Sequence, residues 1–415
     1  MSRRLGDSAG DRAVAAILDA FDPDHAVGLL RRLVRIPSVH PRLEEGTELE
    51  TVAAAVADEL SDYGVEMVFY PEGQGKGWGP NVVAMLGGEG DGPTLILTTH
   101  YDVVPPYDRS LWRTDPFGAE VIDGVMHGRG TVDAKGSMAG MLAGLRTLVR
   151  SRTRLKGTLK LVCWAGDEAH PPDAEWFSGI TYLVGTGRLR GDALIWGEPY
   201  DRRIIHASRG RVWVNIEVAG VASHAASGGG VNAIRKAMLL IDDLYGLRLG
   251  EHPVLGRDTI NVGKILGGTQ TNIVPDSCTF TLDIRFGPPL TVDRVMEMVW
   301  ERIQTRAQGD PDFQVKQTMF PERKEPVMYD PRGAVFQAMV RAGEQALGRT
   351  LPFGGAVSFG DTSEWREAAG VKDVCFFGPG KTVQAHAVNE NIVVEEFLEA
   401  AKVYALTVAN YCGTL

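Results

Sequence analysis

Thr94-Leu95-Ile96-Leu97-Thr98-Thr99-His100-Tyr101-Asp102 is the stretch from which the rest of the chain is read. Residues 94–99 form an uncharged aliphatic and β-branched run, which predicts a buried strand. Downstream, Ser137 to Val149 places Met138, Met141, Leu142, Leu145, Leu148 and Val149 on one helical face. Thr158 to Trp164 and Ala193 to Trp196 read as further short strands. Upstream, two short helical stretches break near Pro23, and Val27, Leu30 and Val34 of the second follow helical spacing. Strands separated by helices predict an α/β fold whose mixed sheet is covered by helices on both faces.

The pattern changes near residue 210. Val212 to Val218 and Cys278 to Phe286 alternate apolar and polar side chains, as strands with one wet face do. Helical patterns occupy Asn232 to Tyr245 and Val292 to Arg306. The helix-then-strand rhythm resumes after Pro331. The expected organisation is therefore a larger domain from 1–209 and 323–415, interrupted by a smaller inserted α+β domain at 210–322. At 415 residues the chain also exceeds the size at which one core usually stops growing.

Composition narrows the function classes. Hydrophobic residues at 44% and charged residues at 23% are ordinary for a globular protein and argue against disorder. A net charge of −10 with interleaved signs disfavours nucleic acid or an anionic membrane as partner, because both require a basic patch. Cys163, Cys278, Cys375 and Cys412 lie far apart, which fits buried free thiols better than a zinc ribbon or disulfide framework. The polar segment from Met1 to Arg12 has no apolar core of a signal peptide, and no stretch reaches transmembrane length, so a cytoplasmic location is expected.

Residues with metal-ligand chemistry recur at the ends of the predicted strands. His100 and Asp102 lie at the C-terminal edge of the first strand, where open α/β sheets place their ligand sites. An imidazole suits zinc, cobalt or manganese, and Asp102 is the candidate carboxylate to orient it by accepting the other ring N–H. Asp133 lies within Gly128-Arg129-Gly130-Thr131-Val132-Asp133-Ala134-Lys135-Gly136, where glycines permit a tight turn just before a helix. The same aspartate also fits a helix N-cap. Asp167-Glu168, Glu198 (between Gly197 and Pro199) and His386 complete the set. Taken singly, each fits a blander role: loop acid, turn acid, surface histidine. Their order, mostly at strand ends, points to a metal centre.

With these motifs, the chain resembles the aminoacylase, carboxypeptidase G, acetylornithine deacetylase and succinyl-diaminopimelate desuccinylase family of metallohydrolases, from about Leu29 to Phe397. The resemblance implies two divalent metals, zinc first and manganese or cobalt as alternatives. It implies that His100, Asp133 and Glu198 hold one and that Asp133, Glu168 and His386 hold the other, with Asp133 bridging. It further implies an inserted lid through which a homodimer forms. His224, in Gly220-Val221-Ala222-Ser223-His224-Ala225, matches the lid histidine that steadies an oxyanion. Asn272 and Arg285 match positions that grip a substrate carboxylate, while Gly360-Asp361-Thr362 and Phe377-Gly378-Pro379-Gly380 match closing loops.

The chain departs from the family in having Asp167-Glu168 where Glu-Glu is usual. The separation of 34 residues between Asp133 and Asp167 agrees with the family's usual spacing to the base, so the resemblance implies that Asp167 is the general base. The rival alignment makes Glu168 the base, puts Ala169 at the ligand position and leaves His170 as a substitute. His170-Pro171-Pro172-Asp173-Ala174-Glu175-Trp176 is also unusual, and with Trp164 and Trp196 it reads either as packing or as an aromatic wall for a flat substrate. The resemblance implies an amidohydrolase or peptidase acting on a small carboxylate-bearing molecule. The competing readings are an aminohydrolase for an aromatic amine such as an aminobenzoate, and a metal-binding protein without catalysis.

Overall fold

A computed structural model describes residues 9–70, 79–168, 178–356 and 369–415. The stretch 94–100 forms a central strand, Thr94–His100, buried from Leu95 onward. It pairs in parallel with Thr158–Trp164 on one side and Ala193–Gly197 on the other. Ala193–Gly197 pairs in parallel with Asp373–Phe377, which leads on to Ile204–Ser208. Two antiparallel strands, Asn81–Leu86 and Gly64–Val68, extend the opposite side. With Val327–Met328 and Phe353–Ala356 alongside Ile204–Ser208, the described residues form a nine-stranded mixed sheet, the α/β architecture expected.

Helices cover the sheet for local reasons. Pro23–Val34 starts on a proline, whose missing N–H costs nothing at that position, and Asp22 caps it by accepting from His25 N–H at 3.1 Å. Lys135–Arg150 is buried except at Arg146, Val149 and Arg150, because it lies between the sheet and the helices Pro23–Val34 and Val394–Cys412. Gly144 makes the close approach possible: a Cβ there would sit 3.1 Å from the Ala401 carbonyl oxygen and the Ala405 nitrogen.

A second sheet, wholly antiparallel, runs in the order Thr259–Gly267, Ser277–Phe286, Gly210–Ala219, Gln314–Lys324. Its inner face carries Val212, Val214, Ile216, Phe280, Leu282 and Ile284 against the helices Ala233–Tyr245 and Val292–Gln308, as the alternation predicts. These residues make a core of their own, separate from that of the large sheet. Phe280 is fully buried there, so Phe280→Ala is expected to cost about 3–5 kcal/mol. Urea unfolding followed by circular dichroism measures it.

A third, three-stranded sheet matters most for the site. Asn391–Val393 pairs antiparallel with Val125–His127, placing Asn391 opposite His127 and Val393 opposite Val125. The segments that follow His127 and precede Asn391 are thereby laid side by side. They carry Asp133 and His386.

Candidate metal centre

The ends of the central parallel strands and the paired loops converge on one cluster. His100 Nε2 lies 3.1 Å from Asp133 Oδ1, 3.5 Å from Glu198 Oε1 and 3.9 Å from Asp167 Oδ2. His386 Nε2 lies 3.4 Å from Asp133 Oδ2 and 2.9 Å from Glu168 Oε2. The two oxygens of Asp133 therefore face different imidazoles. This is the geometry a carboxylate needs to sit between two cations. Asp167 can present an oxygen within the group formed by His100 and Glu198, so proximity alone allows it as ligand or base.

Charge and burial explain what the cluster demands. Burial and the anionic Asp133 push the Glu198 carboxyl well above its usual range. Burial also pushes up Glu168, to about 7, with Asp133 adding to it, and Asp167, to about 6, with Asp102 and Asp133 adding. For Asp133, burial is outweighed by hydrogen bonds from His100 and His386, which hold it well below the usual carboxylate range. Hydrogen bonds to Asp133 and Glu168 raise His386 to about 11. Burial opposes charge on His100, but Asp167, Asp102, Asp133 and Glu198 prevail and raise it. Among the described residues no lysine or arginine makes an ion pair with Asp133, Asp167, Glu168 or Glu198, and the buried Glu168 Oε1 has no hydrogen-bond partner. Concentrated carboxylate oxygens, two imidazole nitrogens and an orphaned acceptor fit divalent cations with nitrogen and oxygen ligands.

Several supporting contacts differ from the sequence-based expectation. The nearest acceptor to His100 Nδ1 is the backbone carbonyl of Asp102, at 2.9 Å, with the carboxylate Oδ1 farther off at 3.6 Å. The Asp102 carboxylate instead accepts from the backbone N–H groups of Glu168 at 3.1 Å and Asp167 at 3.4 Å. A buried carboxylate satisfied by two amides pins the loop carrying Asp167 and Glu168. Trp164 and Trp196 are core residues packed edge to face at 5.5 Å, so neither is an aromatic wall for substrate. The Trp196 indole N–H donates to Glu198 Oε1 at 3.0 Å, fixing the carboxylate. Gly378 lies against Glu198: a Cβ there would fall 2.4 Å from the Glu198 carbonyl oxygen.

His224 and Asn272 meet at one end of the second sheet. His224 bridges to Ile273, and the Asn272 carbonyl accepts from Ala225 N–H at 2.9 Å. Both are exposed. Arg285, on Ser277–Phe286, binds Asp283 through Nε at 2.7 Å and Nη2 at 3.0 Å. Arg285 belongs to the second sheet and His224 and Asn272 to loops beside it, whereas the cluster lies at the large sheet. Ala169, His170, Trp176 and Gly360-Asp361-Thr362 lie outside the described residues.

Two residues that the sequence did not single out are Glu390 and Arg129. Glu390 accepts from the backbone N–H of Asp133 at 3.1 Å and from Arg129 Nη1 at 2.5 Å. A glutamate four residues after a candidate ligand carries no local pattern that would reveal either contact.

Comparison with known proteins agrees with this geometry. Residues 96–410 match the peptidase family M20/M25/M40. Succinyl-diaminopimelate desuccinylase 2 of Ruegeria sp. (strain TM1040) is 29% identical over 408 residues, covering 95% of this chain and 96% of that protein. Human carnosine dipeptidase 1 superposes with a TM-score of 0.72 at 18% identity, covering 98% of this chain and 99% of that one. The YXEP protein of Bacillus subtilis, described as a dinuclear metal-binding peptidase from the M20 family, gives 0.69 at 19% identity over 95% of this chain and 99% of its own. The family match spans far more than half of the chain and includes every member of the cluster, and so the chain belongs to peptidase family M20/M25/M40, as a metal-dependent hydrolase of amide bonds.

Proposed function

We propose that this metallohydrolase cleaves the amide bond of a small N-acyl amino acid or dipeptide bearing a free carboxylate, using two cations held on either side of Asp133. The observation that carries the reading is the division of the Asp133 oxygens between His100 and His386. His100, Asp133 and Glu198 would hold one cation, and Asp133, Glu168 and His386 the other. The mixture of imidazole and carboxylate favours zinc, with manganese or cobalt as alternatives. Bound there, the cations supply Lewis acidity for the scissile carbonyl and lower the pKa of the attacking water.

Asp167 is the base. Its side chain is 27% exposed, against 5% for Glu168, whose Oε2 is engaged by His386. Asp167 takes a proton from the water as its oxygen bonds to the carbonyl carbon, then delivers it to the nitrogen as the C–N bond breaks. The products are a carboxylate and an amine. Asp102 serves by fixing the loop that presents the base. His224, brought from the second domain acting as a lid, steadies the developing oxyanion, while Asn272 and Arg285 bind the substrate carboxylate and set the reacting bond in place.

The same domain, read as 210–322, is the dimerisation surface. Thr259–Gly267 is an edge strand with Ile265 and Leu266 exposed, and Met238 and Tyr245 are exposed on the adjoining helix. An apolar edge of this kind is a template for pairing with a second copy. Light scattering should give twice the chain mass, and Leu266→Lys should shift it towards one chain mass. Four buried free cysteines support a reducing cytoplasm, and among the described residues no helix is long and apolar enough to cross a membrane. A net charge of −10 supports a small-molecule partner over nucleic acid.

Metal analysis combined with a hydrolysis screen tests the assignment. The panel is acyl amino acids, with N-succinyl-diaminopimelate among them because a relative's name points to it, together with dipeptides, carbamoyl compounds and aminobenzoates. Two metal equivalents and cleavage of an acyl amino acid or dipeptide are expected. Ammonia release from an aminobenzoate, with no cleavage of the others, would overturn the proposal.

A further inference from the structure

Asp133 and His386 stand on two loops from opposite parts of the chain, and one buried ion pair fastens those loops together. Glu390 and Arg129 are each 1% exposed. The Glu390 carboxylate accepts from Arg129 Nη1 at 2.5 Å and from the backbone N–H groups of Gly130 at 3.1 Å, Val132 at 2.7 Å and Asp133 at 3.1 Å. Its own carbonyl accepts from Gly128 N–H at 2.9 Å. Arg129 lies over the Trp112 ring, and its Nη2 donates to the carbonyls of Pro105 at 3.3 Å and His386 at 3.4 Å. One side chain thus gathers the loop that ends in Asp133, and its ionic partner reaches back to His386 itself.

We propose that the Glu390–Arg129 pair is a positioning device that sets the separation of Asp133 from His386, and so acts more strongly on the cation site of Asp133, Glu168 and His386 than on the other, which shares only Asp133 with it. The inference rests on the two-cation reading above. The two sites are anchored differently. His100 ends one strand and Glu198 follows the parallel strand beside it, locked further by Thr99 Oγ1 donating to the Gly197 carbonyl at 3.0 Å and by the Trp196 indole on Glu198. None of those contacts passes through Glu390. His386 sits on a loop, its side chain 52% exposed and its backbone left-handed at φ 62°, a conformation that the surroundings must hold in a residue other than glycine. Without the pair, the His386 side of the cluster loosens while the strand-borne side keeps its place.

Titration of the metal-stripped full chain with Mn²⁺ by calorimetry tests the proposal in Glu390→Gln, which keeps the volume but turns an amide NH₂ towards N–H donors. The wild type is expected to take two equivalents; if it took one or none, the two-cation reading itself would fall. In Glu390→Gln, the site of Asp133, Glu168 and His386 should weaken about 10–100-fold, the range typical of partners that orient metal ligands, and the site of His100 and Glu198, reached only through Asp133, clearly less. Turnover should recover as Mn²⁺ is raised. Both sites unchanged, or both weakened alike, would overturn the proposal, since equal weakening means that the pair only supports the fold. Should Glu390→Gln fail to fold, Arg129→Met keeps a long apolar side chain beside Trp112 and must show the same split between sites.

Discussion

Asp133→Ala is expected to abolish turnover and to reduce bound metal from two equivalents to one or fewer. No other side chain in the cluster touches both imidazoles, at 3.1 Å from His100 and 3.4 Å from His386. As the proposed shared ligand, Asp133 would supply the charge that holds two cations near one another, and its loss would remove that charge. Metal ions contribute several kcal/mol to such transition states, so the loss in kcat/KM should be about 10³-fold or more. His100→Ala should behave similarly, because His100 contacts Asp133 and approaches both Glu198 and Asp167. Metal content by mass spectrometry, measured beside kcat/KM and far-UV circular dichroism, distinguishes loss of the centre from loss of the fold. Full activity in either variant would defeat the assignment of ligands.

Asp167→Asn should lower kcat by about 10²–10⁴-fold, the usual worth of a positioned general base, while two metal equivalents remain bound. This dissociation of chemistry from metal content separates a base from a ligand. Asp167 lies close enough to His100, at 3.9 Å, that a ligand role is the direct competitor. Equal loss of activity and of one metal would favour that competitor. Asp167→Glu provides a second measure: it restores a carboxylate with one more methylene and should retain more activity than the amide. A glutamate variant as inactive as the asparagine one would show that the position of the oxygen, not its basicity alone, is fixed by the Asp102-pinned loop.

The sequence by itself was enough to determine several local elements and the residues that bear metal-ligand chemistry. Leu95 to Thr99, Thr158 to Trp164 and Ala193 to Trp196 are short, largely apolar and too brief for a helix of ordinary length, and the structure has strands at all three. Alternation over Cys278 to Phe286 likewise dictated which side chains face the second core, because strand periodicity is a property of consecutive residues. The candidate ligands were legible for a related reason: strand ends in an α/β sheet project into one crevice, so acids and histidines there are pre-sorted by topology.

Tertiary structure alone decided which of those groups meet and what supports them. Asp133 and His386 come together through the pairing of Val125–His127 with Asn391–Val393, a contact across more than half of the chain that no local pattern encodes. The acceptor on His100 Nδ1 is a backbone carbonyl, and backbone groups are the same at every residue, so no choice of side chain could announce it. Glu390 is silent in sequence for the opposite reason: its carboxylate acts on amides some 260 positions away, each a partner that only the folded chain brings within hydrogen-bond reach.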